Sequence, residues 1–210
     1  MSVVDHAPKL NLNEALNLAG ELYEISGTVE LLPSERDQNF LLKNTTGERF
    51  VLKVANSLEE YGFLEAQNQV MEHVAREINL LPNAVSSVNG KTIESTILKD
   101  GKEHFVRLVT YLQGRPMGSV KRHSPELMLD LGKNLGKLEK SLHGFDHPAL
   151  HREFHWDFAS GLDIVKKNIK LVQDKKLQDM VSALAKNFEQ FTLKGLRQFL
   201  LIRRCCKGAS

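Results

Sequence analysis

Apolar and polar residues are arranged along this chain in two different ways, one before residue 113 and one after it. Near the start, Ala15, Leu16, Ala19, Leu22 and Tyr23 recur at helical spacing. Asn11, with Glu14 three residues on, has the form of an N-cap and its reciprocal acid. Gly27 is expected to end this helix. Thr28–Leu32, "FLLKN" and "RFVLKVAN" then read as strands, separated by the polar turns "PSERDQN" and "TTGE". The last two strands form a hairpin. Ser57 and Glu60 suggest a second capping box, ahead of a helix with the stripe Phe63, Gln67, Val70, Val74 and Ile78, closed by Pro82. Asn89-Gly90 predicts a hairpin turn joining "AVSSV" to "TIESTIL". "KDGKE" predicts another turn, and "HFVRLVTYL" a further strand.

Gln113-Gly114-Arg115-Pro116 breaks the alternation, and the rest reads as helix. Ser124-Pro125-Glu126 supplies a cap, a first-turn proline and an acid near the positive end of the dipole. Leu127, Leu131, Leu135, Leu138 and Leu142 form one stripe, with Gly132 and Gly136 beside it as candidates for close packing. Two more helices are expected at about 157–172 and 175–193, the latter carrying Leu177, Met180, Val181, Leu184, Phe188 and Phe191. The fold class expected is therefore α+β: a lobe with an antiparallel sheet over 1–112, a partial helical lobe over 113–193, and a divergent tail over 194–210.

Composition narrows the function classes. The 210 residues are 41% hydrophobic and 26% charged, ordinary for a globular chain. No apolar run approaches a bilayer span, and no basic-then-apolar leader opens the sequence, so neither membrane nor secretion is expected. The two cysteines, Cys205 and Cys206, are adjacent, which gives no disulfide framework and fits a cytoplasmic setting. The net charge of +2 is a product of the tail. Of the 28 Lys and Arg residues, five lie between Lys194 and Ser210, where no acid occurs; the other 23 face 26 acids, a net of −3. Nucleic-acid binding gains no support from such a body.

Four histidines, His143, His147, His151 and His155, stand four apart in "HGFDHPALHREFHWDF". On one helix they would be a ladder of metal ligands. Gly144 and Pro148 fall inside the run and oppose a continuous helix, so no metal site is expected there. Trp156 reads as a packing anchor.

The more informative pair is Lys53 and Glu65. Lys53 sits in "FVLKV", where alternation puts Val51, Lys53 and Ala55 on one strand face and Leu52 and Val54 on the other. Glu65 lies on the following helix. A strand lysine held by a helix glutamate is one way to neutralise nucleotide phosphates. The turn before the hairpin contains no G-x-G-x-x-G, but Ser34, Asp37, Gln38 and Asn39 offer polar groups.

"SERDQNF", "RFVLKVAN", "EAQNQVM", "FVRLVTYLQGRP", "LGKNLGKLEKSL" and "HPALHREFHWDF", in this order and spacing, resemble the aminoglycoside phosphotransferase/choline-kinase-like superfamily, and within it the hydroxylysine kinase branch. The resemblance spans about residues 10–193. It implies a protein-kinase-like architecture with nucleotide between the lobes. Lys53 would contact phosphates, Glu65 would pair with it, and Thr110-Tyr111-Leu112 would be the hinge whose backbone reads the purine. It also implies a nucleoside triphosphate (GTP or ATP) with Mg²⁺, and a small amino-acid-like acceptor such as 5-hydroxylysine. Homoserine or an amino alcohol is the alternative acceptor, and a non-catalytic, pseudokinase-like binding module the alternative class.

The family's transfer chemistry needs a His-Gly-Asp loop, then an asparagine and a further aspartate for the metal. No His-Gly-Asp occurs here. From Leu193 the chain reads "LKGLRQFLLIRRCCKGAS", expected to be the product of truncation, alternative splicing or a frameshift, with a basic partner- or membrane-binding tail as the alternative. The expectation is a chain that retains nucleotide-binding features, lacks catalytic and metal residues, transfers no phosphate alone and self-associates through uncovered apolar surface.

Overall fold

The computed structural model describes residues 6–152 and 160–192. The expected helices around residue 157 and beyond 192, together with His155, Trp156, Phe191's side chain, the cysteines and the 194–210 tail, lie wholly or partly outside them. The chain divides into two compact units, Met1–Phe145 and Asp146–Ser210, so the helix that follows residue 124 groups with the sheet.

In the first unit, helix α1 (Leu12–Tyr23) starts at the expected capping box: Asn11 Oδ1 accepts from Glu14 N at 3.0 Å, and Asn11 N donates to Glu14 Oε2 at 2.8 Å. It ends earlier than Gly27, at Tyr23, with Glu24 in the left-handed region (φ 54°) as its C-cap. Gly27 instead opens strand β1 (Gly27–Leu32). Its φ is 151°, and a Cβ there would lie 2.0 Å from the Lys43 carbonyl oxygen, so the adjoining strand passes too close for any side chain.

Strands β2 (Gln38–Asn44), β3 (Arg49–Val54), β4 (Ala84–Val85), β5 (Glu94–Ile97) and β6 (Glu103–Thr110) complete an antiparallel sheet with the path β1-β2-β3-β6-β4. β5 also pairs with β6. The Asn89-Gly90 hairpin is therefore a correction. "AVSSV" and "TIESTIL" do not pair with each other: β4 lies against Leu108–Val109 and β5 against Glu103–Val106 of β6. The turn belongs to a loop held by Glu94, which is 7% exposed and accepts from Ser87 Oγ (2.6 Å) and Asn89 Nδ2 (2.9 Å). Burial of that carboxylate is satisfied by these donors, which also hold its pKa below the usual range.

The core sits on one sheet face. Phe40, Leu42, Leu52, Val54, Val106 and Leu108 are fully buried and cluster with Ala15, Leu18, Ala19 and Tyr23 of α1. Each large apolar side chain so buried contributes about 1.5–3 kcal/mol.

Helix α2 (Tyr61–Ala75) corrects the second expected cap: Glu60 is its N-cap, with no side-chain capping bond, and Ser57 lies outside the helix. The segment before it is organised by Asn56 instead, whose Oδ1 accepts from Leu58 N at 3.0 Å. α2 buries Leu64, Ala66 and Val74. Helix α3 (Pro125–Ser141) begins at Ser124 as expected, its hydroxyl accepting from Leu127 N at 3.3 Å. It meets α2 where the His73 Nε2 lies 2.8 Å from the Ser141 carbonyl oxygen. A Cβ added at Gly132 or Gly136 would meet no atom of another element within 4 Å, so close packing at these glycines is not what they provide among the described residues. Leu135, expected in the inner stripe, is 51% exposed, as are Met128 (46%) and Leu129 (60%).

In the second unit, α4 (Gly161–Asn168) and α5 (Lys175–Thr192) pack together, with Lys166 Nζ 2.8 Å from Glu189 Oε1. Leu177, Met180 and Leu184 of α5 remain about half exposed, at 45%, 54% and 60%. No described helix is long and apolar enough to cross a membrane.

Candidate nucleotide site

Strand alternation decides what the second sheet face carries. Since Leu52 and Val54 point into the α1 core, Val51 and Lys53 point the other way, as the sequence implied. The register aligns Asn39, Lys53 and Arg107 in one row across β2, β3 and β6. α2 lies on this face. A cleft of about 500 Å³ opens beside it, bounded by Val51, Lys53, Arg107 and Val109 of the sheet, Gln67 and Met71 of α2, Pro82, and the 110–116 segment.

Lys53 Nζ donates to Asn39 Oδ1 at 2.9 Å. Burial is the first cause that lowers its pKa, the neighbouring Arg107 charge the second, and Asp37 opposes both. Arg107 is 4% exposed and is the cation that grips α2: Nη1 donates to Leu64 O (3.2 Å) and Asn68 Oδ1 (3.0 Å), and Nη2 to Gln67 Oε1 (2.8 Å). Its pKa is also lowered by burial, against the opposing fields of Asp37, Glu59 and Tyr23. Glu65 is half-buried on the same α2 turn.

The 33–37 turn is fixed from beneath by Asn56, which is fully buried: Asn56 N donates to Asp37 Oδ1 (3.0 Å) and Asn56 Nδ2 to Arg36 O (3.1 Å). Ser34 is exposed on this turn. Gln38 faces away from Lys53. Its amide pairs with the Leu10 backbone, accepting from N at 2.7 Å and donating to O at 3.2 Å, which ties the chain's start to β2. The structure thus brings Lys53, Asn39 and Asp37 together and engages Gln38 elsewhere.

The Thr110–Leu112 segment, the expected hinge, is sewn down on both sides. Thr110 N donates to Asn83 O and Thr110 Oγ1 accepts from Asn83 N, both at 2.9 Å. Tyr111 N donates to Arg49 O at 3.1 Å, and the Arg49 guanidinium lies 4.5 Å from the Tyr111 ring centroid, a cation–π contact, while bonding Gln113. Leu112 is half exposed at the cleft rim. Sequence reasoning missed Arg107, Asn56, Gln67 and Met71. Arg107 had a signal, being a charge amid the apolar run "HFVRLVT".

The histidine run does not form one helix. Gly144 has φ 81°, His147 Nδ1 accepts from Ala149 N (3.2 Å) at a single 3₁₀ turn over Pro148–Leu150, and His151 Nε2 lies 2.7 Å from Asp146 Oδ1. Among the described residues no three His, Cys, Asp or Glu side chains come together as metal ligands. Asp37 is the carboxylate whose field reaches Lys53, and one of its oxygens is taken by Asn56 N. The described residues therefore do not fit a Mg²⁺ cage.

Residues 28–198 match the phosphotransferase enzyme family. The chain belongs to that family. It is 27% identical to a hydroxylysine kinase of Danio rerio over 98% of this chain and 59% of that protein, and 29% identical to one of Bos taurus over 81% and 49%. It therefore spans about half the length of the curated relatives it matches. An amicoumacin kinase in complex with AMP-PNP and Ca²⁺ superposes with a TM-score of 0.65 at 14% identity, over 86% of this chain and 54% of that one. A microcompartment-associated aminopropanol kinase gives 0.51 at 17%, over 71% and 46%. The α+β kinase-like fold of this small-molecule phosphotransferase family is the one expected from the sequence.

Proposed function

We propose that this chain carries the nucleotide-binding portion of a small-molecule kinase whose acceptor is 5-hydroxylysine or a similar amino acid. The observation that carries the reading is Lys53, half-buried at the floor of the hinge cleft with a second cation, Arg107, directly opposite. Like charges facing across a sheet are destabilising, and a bound polyanion relieves them. The base of a nucleoside triphosphate would lie against Val51, Val109 and the Thr110–Leu112 backbone, and its phosphates would reach Lys53 beneath the Ser34–Asp37 turn. Glu65, on the α2 turn that Arg107 holds, would complete the charge balance. The hydroxylysine kinase relatives support the acceptor class.

In such a transfer the acceptor hydroxyl oxygen bonds to the γ-phosphorus, the bond to the bridging oxygen breaks, and the hydroxyl proton passes to a base. The His-Gly-Asp aspartate that would position that hydroxyl does not occur in these 210 residues. We therefore read the chain by itself as binding nucleotide without transferring phosphate. Thermal-shift measurements with ATP and GTP, with and without Mg²⁺, on wild type and Lys53→Ala test binding: a Lys53-dependent stabilisation supports it, and none with either nucleotide refutes it. Phosphotransfer to hydroxylysine by the purified 210-residue chain would refute the inactivity.

A further inference from the structure

Arg107 is a costly residue for its position. It stands in β6 between Val106 and Leu108, both fully buried, and is itself 4% exposed. All three of its hydrogen bonds go to neutral acceptors on α2: Leu64 O, Asn68 Oδ1 and Gln67 Oε1. Hydrogen-bonded but, among the described residues, without a contacting counter-charge, a buried guanidinium costs desolvation that an apolar side chain of similar volume would avoid. A purely structural strap between sheet and helix would not need the charge.

The charge acts on Lys53. The two residues are directly opposed on β6 and β3, where like charges repel. The Lys53 ammonium is found on the side away from β6, donating to Asn39 on β2 at 2.9 Å. We propose that Arg107 is a positioning residue for the phosphate-binding lysine: it clamps α2 to β6 through its forked hydrogen bonds and, by its charge, holds the Lys53 ammonium toward Asn39 and the cleft. This rests on the reading of Lys53 as a phosphate ligand. Among the described residues, the charged or titratable groups whose fields reach the pair are Asp37 in the turn before β2, Glu59 before α2 and Tyr23 on α1. Only Asp37 appears in the fields of both cations. A triphosphate adds the missing negative charge, so its binding raises the affinity of Lys53 for its proton.

The test follows the Lys53 side chain itself in the 210-residue chain. Lysine is labelled with ¹³C, the Lys53 resonance is identified by its loss in Lys53→Arg, and its titration is recorded in wild type, Arg107→Gln, Arg107→Lys and the double variant Gln67→Leu/Asn68→Ala. AMP-PNP affinity is measured in parallel. Arg107→Gln is expected to move the Lys53 midpoint upward and to weaken AMP-PNP about tenfold. Arg107→Lys keeps the charge and so the midpoint, yet weakens binding because the fork is lost. The double variant weakens binding at an unchanged midpoint. A Lys53 midpoint that does not respond to Arg107→Gln in a folded chain overturns the charge role, and undiminished affinity in the double variant overturns the clamp. Should Arg107→Gln not fold, Arg107→Lys and the double variant still decide the clamp. A wild-type chain that binds no AMP-PNP, while its Lys53 midpoint still moves in Arg107→Gln, refutes the phosphate reading and shows that reading, rather than the coupling, to be at fault.

Discussion

Lys53 and Asn39 face each other across β3 and β2, with the ammonium 2.9 Å from the amide oxygen of Asn39. The partner is neutral, so the lysine keeps its charge available for a ligand. Asn39→Asp replaces it with an anion at nearly the same place. This variant is expected to weaken AMP-PNP binding about tenfold, roughly 1.4 kcal/mol, because phosphate must then displace an internal ion pair. Isothermal titration reads it directly; unchanged affinity would show that Asn39 does not set the lysine's state.

A half-buried lysine directly opposite a buried arginine is a source of instability. Lys53's pKa is lowered in the fold, by burial first and by Arg107 second. The folded state thus binds the proton less well than the unfolded state, and the charged lysine costs stability below the folded-state pKa. The cost fades as pH rises through that value. Lys53→Met is therefore expected to raise the unliganded chain's thermal midpoint by about 2–4 °C near neutral pH, with a smaller gain at alkaline pH. A lower midpoint at neutral pH would show that the lysine is stabilising.

Asn56 couples the 33–37 turn to the body of the sheet, through Asp37 Oδ1, Arg36 O and Leu58 N. Removing its buried amide in Asn56→Ala leaves Arg36 O and Leu58 N without that partner and is expected to cost about 2–3 kcal/mol. Urea unfolding measures the loss. AMP-PNP affinity should fall with it, since the turn is no longer fixed.

Much of this arrangement was legible in the sequence. The face of Lys53 followed from strict alternation in "RFVLKV", and the α1 start from the Asn11–Glu14 spacing. Both are local rules that tertiary contacts did not override. The Ser57–Glu60 box misled because Asn56, one residue earlier, takes the local backbone N–H, and the helix begins only at Tyr61. Asn89-Gly90 misled because the edge of β6 is long enough to pair β4 and β5 in succession, so the turn closes a loop onto Glu94. Arg107's grip on α2 joins residues about 40 apart in sequence, and no local pattern encodes that separation.

Gly27 tests the sheet's close approach. Its φ of 151°, with only 2.0 Å between an ideal Cβ position and Lys43 O, leaves no room for Gly27→Ala. The variant is expected to lose about 3 kcal/mol by urea unfolding, with β1 displaced from β2. A loss under about 1 kcal/mol would mean that β1 shifts freely.

Nucleotide is proposed to bind on the Lys53 face of the sheet, against the Thr110–Leu112 segment. Mapping AMP-PNP onto the ¹⁵N-labelled 210-residue chain by amide chemical-shift changes tests it most directly. Saturable changes are predicted, concentrated at Thr110–Leu112, Val51–Lys53 and the Ser34–Asn39 turn, and lost in Lys53→Ala. Changes confined to the opposite face around α1 and Leu10, or none at millimolar ligand, would contradict it.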